Sequence, residues 1–322
     1  MRVTNQMLSN NFLRDMRTNL NNMSTVQGQM SSGKQIRKPS DDPFKASRIM
    51  QMHSDMDANK QYNTNIKSSI NWLDTTDTAL GQIGNVIGRI DELLVSTGSG
   101  GVGSDQRQAI KDEINQRIQE VSQILNTSFD GKYIFGGSRG TTKPTDAGTK
   151  DAMGNSSLIY NITTTDPPTT DDQMAMLKNK LLVEVSQGVT MEYNATTSEV
   201  INYGADDSKN LMKLLGDITN HLGSNDPNDI KKLTNEDLAG IKEAMTNVLK
   251  VRSEIGSKQN RMESAETRNV DQNFNMMEIL TATEDIDITE KAMEFATMQT
   301  VYMASLQTSA KVIQTSLLDY LR

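Results

Sequence analysis

The sequence predicts a mainly α-helical protein with a β-rich insert, an elongated helical bundle or coiled coil built from both chain ends. Three observations carry this. Narrow amphipathic stripes sit at both termini, helical periodicity runs without interruption for tens of residues inside them, and the composition changes abruptly mid-chain. Only 35% of the 322 residues are hydrophobic and 4% aromatic, too few for a large globular core of rings. Twenty methionines partly compensate, because an unbranched thioether fills irregular helix seams.

The first segment places Leu13, Met16, Leu20, Met23 and Met30 at alternating steps of three and four, with Gln27 filling one seam position. The last segment repeats the pattern with Ala292, Ala296, Met303, Leu306, Ala310, Ile313, Leu317 and Tyr320. Neither stripe can be buried by its own helix. Each is expected to need a partner, supplied by assembly or by pairing of the chain's own termini, and these residues are the candidate assembly interface.

Between the first two helices lies SSGKQIRKPSDDP, Ser31 to Pro43. Ser31, Ser32 and Gly33 are expected to end one helix. Asp42 should cap the next, with Pro43 at the first helical position, where its missing N–H costs nothing. Gly33, Pro39, Ser40, Asp41, Asp42 and Pro43 are the turn residues singled out here. Periodicity then continues through Tyr62, Ile66, Leu73, Leu80, Ile83, Ile87, Ile90 and Leu94, a helix of roughly 80 Å. Gly81, Gly84 and Gly88 each weaken it by about 1 kcal/mol relative to alanine.

After a turn over 97–103, Ile110, Ile114, Ile118, Val121 and Leu125 give a returning helix. The stretch FDGKYIFGG, Phe129 to Gly137, reads as strand-like, with a turn at Asp130–Gly131. From Ser138 to Tyr203, Thr, Gly, Asp and Pro separate short β-prone runs at 158–163, 181–185, 189–193 and 200–203. Helix resumes at 211–222. It returns after Thr234, an expected N-cap, through Leu238, Ile241, Met245, Val248 and Ile255 toward Arg268 and beyond.

The expected division is therefore 1–40 with 285–322 as terminal coiled-coil segments, 41–137 with 205–284 as a helical rod, and 138–204 as an outer β-rich insert. The terminal segments should order only when neighbours supply the missing face.

The search for chemistry yields decoys. A net charge of −8 argues against nucleic acid or an anionic membrane, and Lys34, Arg37 and Lys38 are too few for a polyanion surface. There are no cysteines, and no apolar run is long enough to span a membrane. Met1 to Ser32 is polar and lacks the apolar core and cleavage site of a signal peptide, so secretion by the general pathway is not expected, and export by a route that reads an uncleaved N-terminus stays open. Gly28 to Gln35 matches GxxxxGK but ends in Gln35 rather than Ser or Thr, and a helix precedes it where a phosphate loop needs a strand. His53 and His221 have no His or Cys companions and read as solvated helix residues. Glu284, Asp285 and Asp287 read as acids starting a helix. No cofactor, metal or catalytic residue is expected.

Four stretches carry a family resemblance. RVTNQMLSNNFLRDM (Arg2 to Met16) followed by SSGKQIRKPSDDP resembles the N-terminus of the bacterial flagellin superfamily. LNTSFDGKYIFGG, ATEDIDITEKAMEF and the ending SLLDYLR resemble it too, so the likeness covers roughly the first 140 and last 90 residues. Flagellins proper usually carry an alanine-rich second motif, and the form at Pro39 to Pro43 is similar to that of the superfamily's hook–filament junction members. The resemblance implies a non-enzymatic flagellar subunit that self-associates into a ring. It also implies neighbours: the first hook-associated protein on the hook side and flagellin on the filament side. Further implications are type III export to an extracellular location and a chaperone on the C-terminal helices. A filament subunit is the alternative. An enzymatic insert is a distant one; 138–203 holds neither histidine nor cysteine, which argues against a metalloprotease.

Overall fold

A computed structural model describes residues 5–98, 103–148, 150–151, 153–162, 169–204 and 208–313. The chain divides into two compact units, a terminal one (Met1–Asn59 with Asp271–Arg322) and a central one (Lys60–Val270).

In the terminal unit, α1 (Asn5–Ser32) ends where Gly33 takes φ +71°, and the Gly33 amide donates to the Gln29 carbonyl at 2.8 Å. That left-handed residue is natural for glycine and costly for others. Helix α2 (Pro43–Gly98) begins as expected: Asp42 Oδ1 accepts from the amides of Phe44 and Lys45, both at 3.1 Å, and Pro43 occupies the first position. A small apolar cluster of Ile49, Met56 and Leu280, flanked by Ile36, Met52 and Met276, holds this unit.

In the central unit, the α2 stripe is completely covered from Ile66 onward, with Tyr62 half-buried. Ile66, Leu73, Leu80, Ile83, Ile87, Ile90 and Leu94 have no solvent exposure. They share one core with Ile114, Ile118, Val121 and Leu125 of α3 (Ser104–Leu125) and with Ile241, Val248, Ile255 and Met262 of α8 (Leu238–Glu284). Arg252 forks onto Asp77 at 2.7 and 3.0 Å, and Arg89 reaches Glu113 at 2.9 Å, tying the outer faces of the same helices. Helix α2 is unbroken through Gly81, Gly84 and Gly88.

Among the described residues, the middle of the chain carries four separate two-stranded antiparallel ladders: β1–β2 (Ser128–Phe129, Lys132–Tyr133), β3–β4 (Thr145–Ala147, Leu158–Tyr160), β5–β6 (Leu182–Ser186, Val189–Glu192) and β7–β8 (Asn202–Tyr203, Lys209–Asn210). The turn at Asp130–Gly131, with φ of 50° and 74°, is the left-handed pair that a two-residue hairpin requires.

Three local expectations are corrected. Helix α4 (Thr170–Lys178), started by Thr169 accepting from the Asp172 amide, lies within the stretch read as strands and loops. The run at Val200 opens as α5 (Thr197–Ile201), because Thr196 and Glu199 form a reciprocal cap, and only Asn202–Tyr203 is strand. Thr234 is not a cap. After α6 (Leu211–Gly223), Asp226 caps α7 (Pro227–Lys232), and a π-helical stretch, Leu233–Asp237, carries the chain into α8; the Thr234 hydroxyl donates to the Lys231 carbonyl inside it.

Candidate assembly interface

Helix α9 (Ile288–Ile313) packs against α1. Because the end of α1 lies beside the start of α9, the two run antiparallel. The less exposed residues of α1 include Phe12, Met16, Asn19, Met23, Val26 and Met30, and those of α9 include Phe295, Met298, Tyr302 and Ser305. Steps of three and four link each set, so these are the faces the two helices turn toward each other.

The predicted stripe is therefore split. Met16, Met23 and Met30 lie half-buried on the α1 face just described. Leu13 and Leu20 are 48% and 40% exposed beside it, and Met303 and Leu306 of α9 are 52% and 42% exposed. Ala292 and Ala296 are exposed as well. Each helix thus carries two apolar stripes, one used within the chain and one open. Ile313 ends α9 with its side chain outside the described residues, and Leu317 and Tyr320 lie beyond them. Phe12, Val26, Phe295, Met298 and Tyr302 were missed by the sequence reading. A step count starting from Phe12 instead of Leu13 is the signal that finds the first two.

The base of the helix pair is a clasp. The Gln35 amide donates to the Glu284 carbonyl at 2.6 Å and the Ile286 amide to the Gly33 carbonyl at 3.2 Å, so Lys34 and Asp285 pair as in an antiparallel ladder. The Glu284 carboxylate is buried under this bridge, where it takes the Lys34 ammonium on one oxygen and His53 Nε2, at 3.2 Å, on the other. Burial pushes the carboxyl pKa up. The hydrogen bond and charge of Lys34, with His53, outweigh that and hold it below the usual value. This disposes of the phosphate-loop decoy: Lys34 is engaged by a carboxylate 250 positions away.

One reading of a single residue is corrected here. His221 Nδ1 lies 2.6 Å from Asp237 Oδ2 with both side chains largely covered, whereas His53 is half exposed on α2 and has Glu284 as a partner. The acid cluster also divides. Asp287 does cap α9, its Oδ1 accepting from the amides of Thr289 and Glu290 at 2.8 and 3.2 Å, but Glu284 sits at the end of α8 and serves the clasp.

The remaining turn residues are local fasteners. Asp41 Oδ2 accepts from the amides of Arg37 and Lys38 at 3.3 and 3.0 Å, while Pro39 and Ser40 are exposed at the tip. Among the described residues, no group of three or more His, Cys, Asp or Glu could hold a metal ion. No described helix is long and apolar enough to cross a membrane. What the arrangement offers is surface: two parallel apolar stripes on a pinned, antiparallel helix pair.

Known proteins show the same two ends. The bacterial flagellin N-terminal helical region matches residues 3–139 and the C-terminal helical region matches residues 238–321. Flagellar hook-associated protein 3 of Salmonella typhimurium is 22% identical over 317 residues, 96% of either chain. A flagellin of Clostridium tyrobutyricum is 29% identical over 168 residues, 51% of this chain and 45% of that one. The crystal structure of the flagellar junction protein FlgL from Legionella pneumophila superposes with a TM-score of 0.54 at 14% identity, covering 75% of this chain and all of that one.

Proposed function

The chain belongs to the bacterial flagellin family, and from that premise we propose that it is the hook–filament junction subunit of the flagellum. One observation carries the choice within the family. The likeness to hook-associated protein 3 runs end to end over both proteins, whereas the likeness to the Clostridium flagellin covers about half of each.

In this reading the work is mechanical and no reaction is catalysed. Copies associate side by side into a ring, with the first hook-associated protein below and flagellin above. The open stripe of Leu13 and Leu20 on α1 and of Met303 and Leu306 on α9 is the surface they bury. Burying such a side chain contributes roughly 1.5–3 kcal/mol. Ile313, Leu317 and Tyr320 extend the stripe in sequence. Type III export without a cleaved leader delivers the chain, and a chaperone covers the C-terminal stripe until assembly.

Deleting the gene and imaging the cells tests this. Intact hooks without filaments, with flagellin lost to the medium, are expected. Filaments of normal length on the deletion strain would overturn the junction role, and loss of filament with no flagellin in the medium would indicate the filament subunit itself.

A further inference from the structure

The turn between α1 and α2 holds a feature the apolar stripes do not explain. A cavity of about 490 Å³ is lined on α1 by Ser24, Thr25 and Gln29 and on the turn by Gln35, Arg37 and Lys38. The Arg37 guanidinium lies directly over Gly28 of α1: a methyl group at position 28 would occupy the space the guanidinium fills. Glycine inside a helix costs about 1 kcal/mol against alanine, so this one has a packing reason. Among the described residues the side chains of Arg37 and Lys38 have no acidic partner. The carboxylate of Asp41 also lines the cavity, and its Oδ2 is engaged by the backbone amides of the same two residues.

Two adjacent cations held against a helix cannot bind a polyanion, but they suit a single carboxylate, which a guanidinium takes through two parallel hydrogen bonds. The chain carries a charge of −8, and the terminal unit itself exposes Glu278, Asp285 and Glu290 with no side-chain partner among the described residues. The same unit thus carries both halves of a complementary contact.

We propose that Arg37 and Lys38 form a docking notch for a carboxylate of a second copy of this chain, presented by the shoulder that carries Glu278, Asp285 and Glu290. This rests on the reading that copies associate side by side, and adds the polar contact that sets their register. Gly28 acts as a positioning residue by letting the guanidinium lie flat.

The test measures self-association of the purified full-length chain by sedimentation and electron microscopy, with helix content by circular dichroism as the folding control. Arg37→Glu with Lys38→Glu should raise the concentration needed for assembly at least roughly ten-fold, as should Glu278→Lys with Asp285→Lys and Glu290→Lys. Mixing the two variants should restore assembly. Gly28→Ala, which keeps every charge and favours helix, should also weaken assembly by displacing the guanidinium. Either charge variant assembling like the parent chain overturns the notch. If both variants fail and their mixture fails as well, the carboxylate does not come from a second copy. Parent chain that never self-associates sinks the ring reading, and the notch with it.

Discussion

Helix α2 starts in one unit of the molecule and ends in the other, and the contrast along it is instructive. In the central unit its stripe from Ile66 to Leu94 is fully covered by α3 and α8. In the terminal unit the buried apolar residues of α2 are Ala46, Ile49 and Met56, the last two clustered with Leu280, while Phe44 and Met50 face solvent. The same periodicity therefore produces a finished core in one place and an unfinished surface in the other. An assembly subunit needs both: a part stable by itself and a part whose apolar area is covered only by neighbours.

The largest effect that would sharpen this contrast lies in the central core. Phe135→Ala should cost about 3–5 kcal/mol by leaving a cavity around a fully buried ring, read as a lower thermal midpoint. Leu20→Asp with Leu306→Asp should leave that midpoint unchanged, because both side chains already face solvent. Added as purified protein to cells that have hooks but lack this subunit, that variant should not support filament growth. Each lost burial is worth roughly 1.5–3 kcal/mol and is repeated around the ring. Restored growth would show that the open stripe is not the assembly surface.

A smaller effect lies in the clasp. Glu284→Gln removes the charge that holds Lys34 and His53, and should lower the local stability of the bridge by about 1.5–3 kcal/mol. Faster hydrogen exchange at the Gln35 and Ile286 amides, with central-unit amides unaffected, is the expected readout.

The smallest effect is a pH dependence of opposite sign in the two units. Glu284 has a folded pKa below its unfolded value, so its contribution is present above the unfolded pKa and is lost as pH falls through the folded one. Asp237 is the reverse. Burial pushes its carboxyl up, against the hydrogen bond and charge of His221, so its contribution is present in acid and is lost as pH rises through the folded pKa. Lowering the pH through the carboxylate range should release the Gln35 and Ile286 amides while the π-helical stretch at Asp237 tightens. Equal loss of protection at both places would remove the distinction.

Local chemistry was enough to read several element boundaries. Asp42 with Pro43 starts α2, Gly33 ends α1, and Asp130–Gly131 turns a hairpin, because each signal acts within four residues of its effect. Helix α4 and the start at Thr196 escaped because Thr, Asp and Glu caps look like loop composition until their reciprocal hydrogen bonds form. The family likewise was legible, since its motifs are contiguous runs at the two ends.

Tertiary structure alone decided which stripe of each terminal helix is used. Starting from Leu13 or from Phe12 gives two equally regular series of threes and fours, and only the approach of α9 to α1 separates the covered face from the open one. It alone decided the fate of the charges as well. Lys34 and Glu284, and His53 with them, meet across more than 200 positions, a coincidence of place that no local pattern encodes. Hydrophobic period and capping are properties of neighbouring residues. Partnership is a property of how distant segments are brought together.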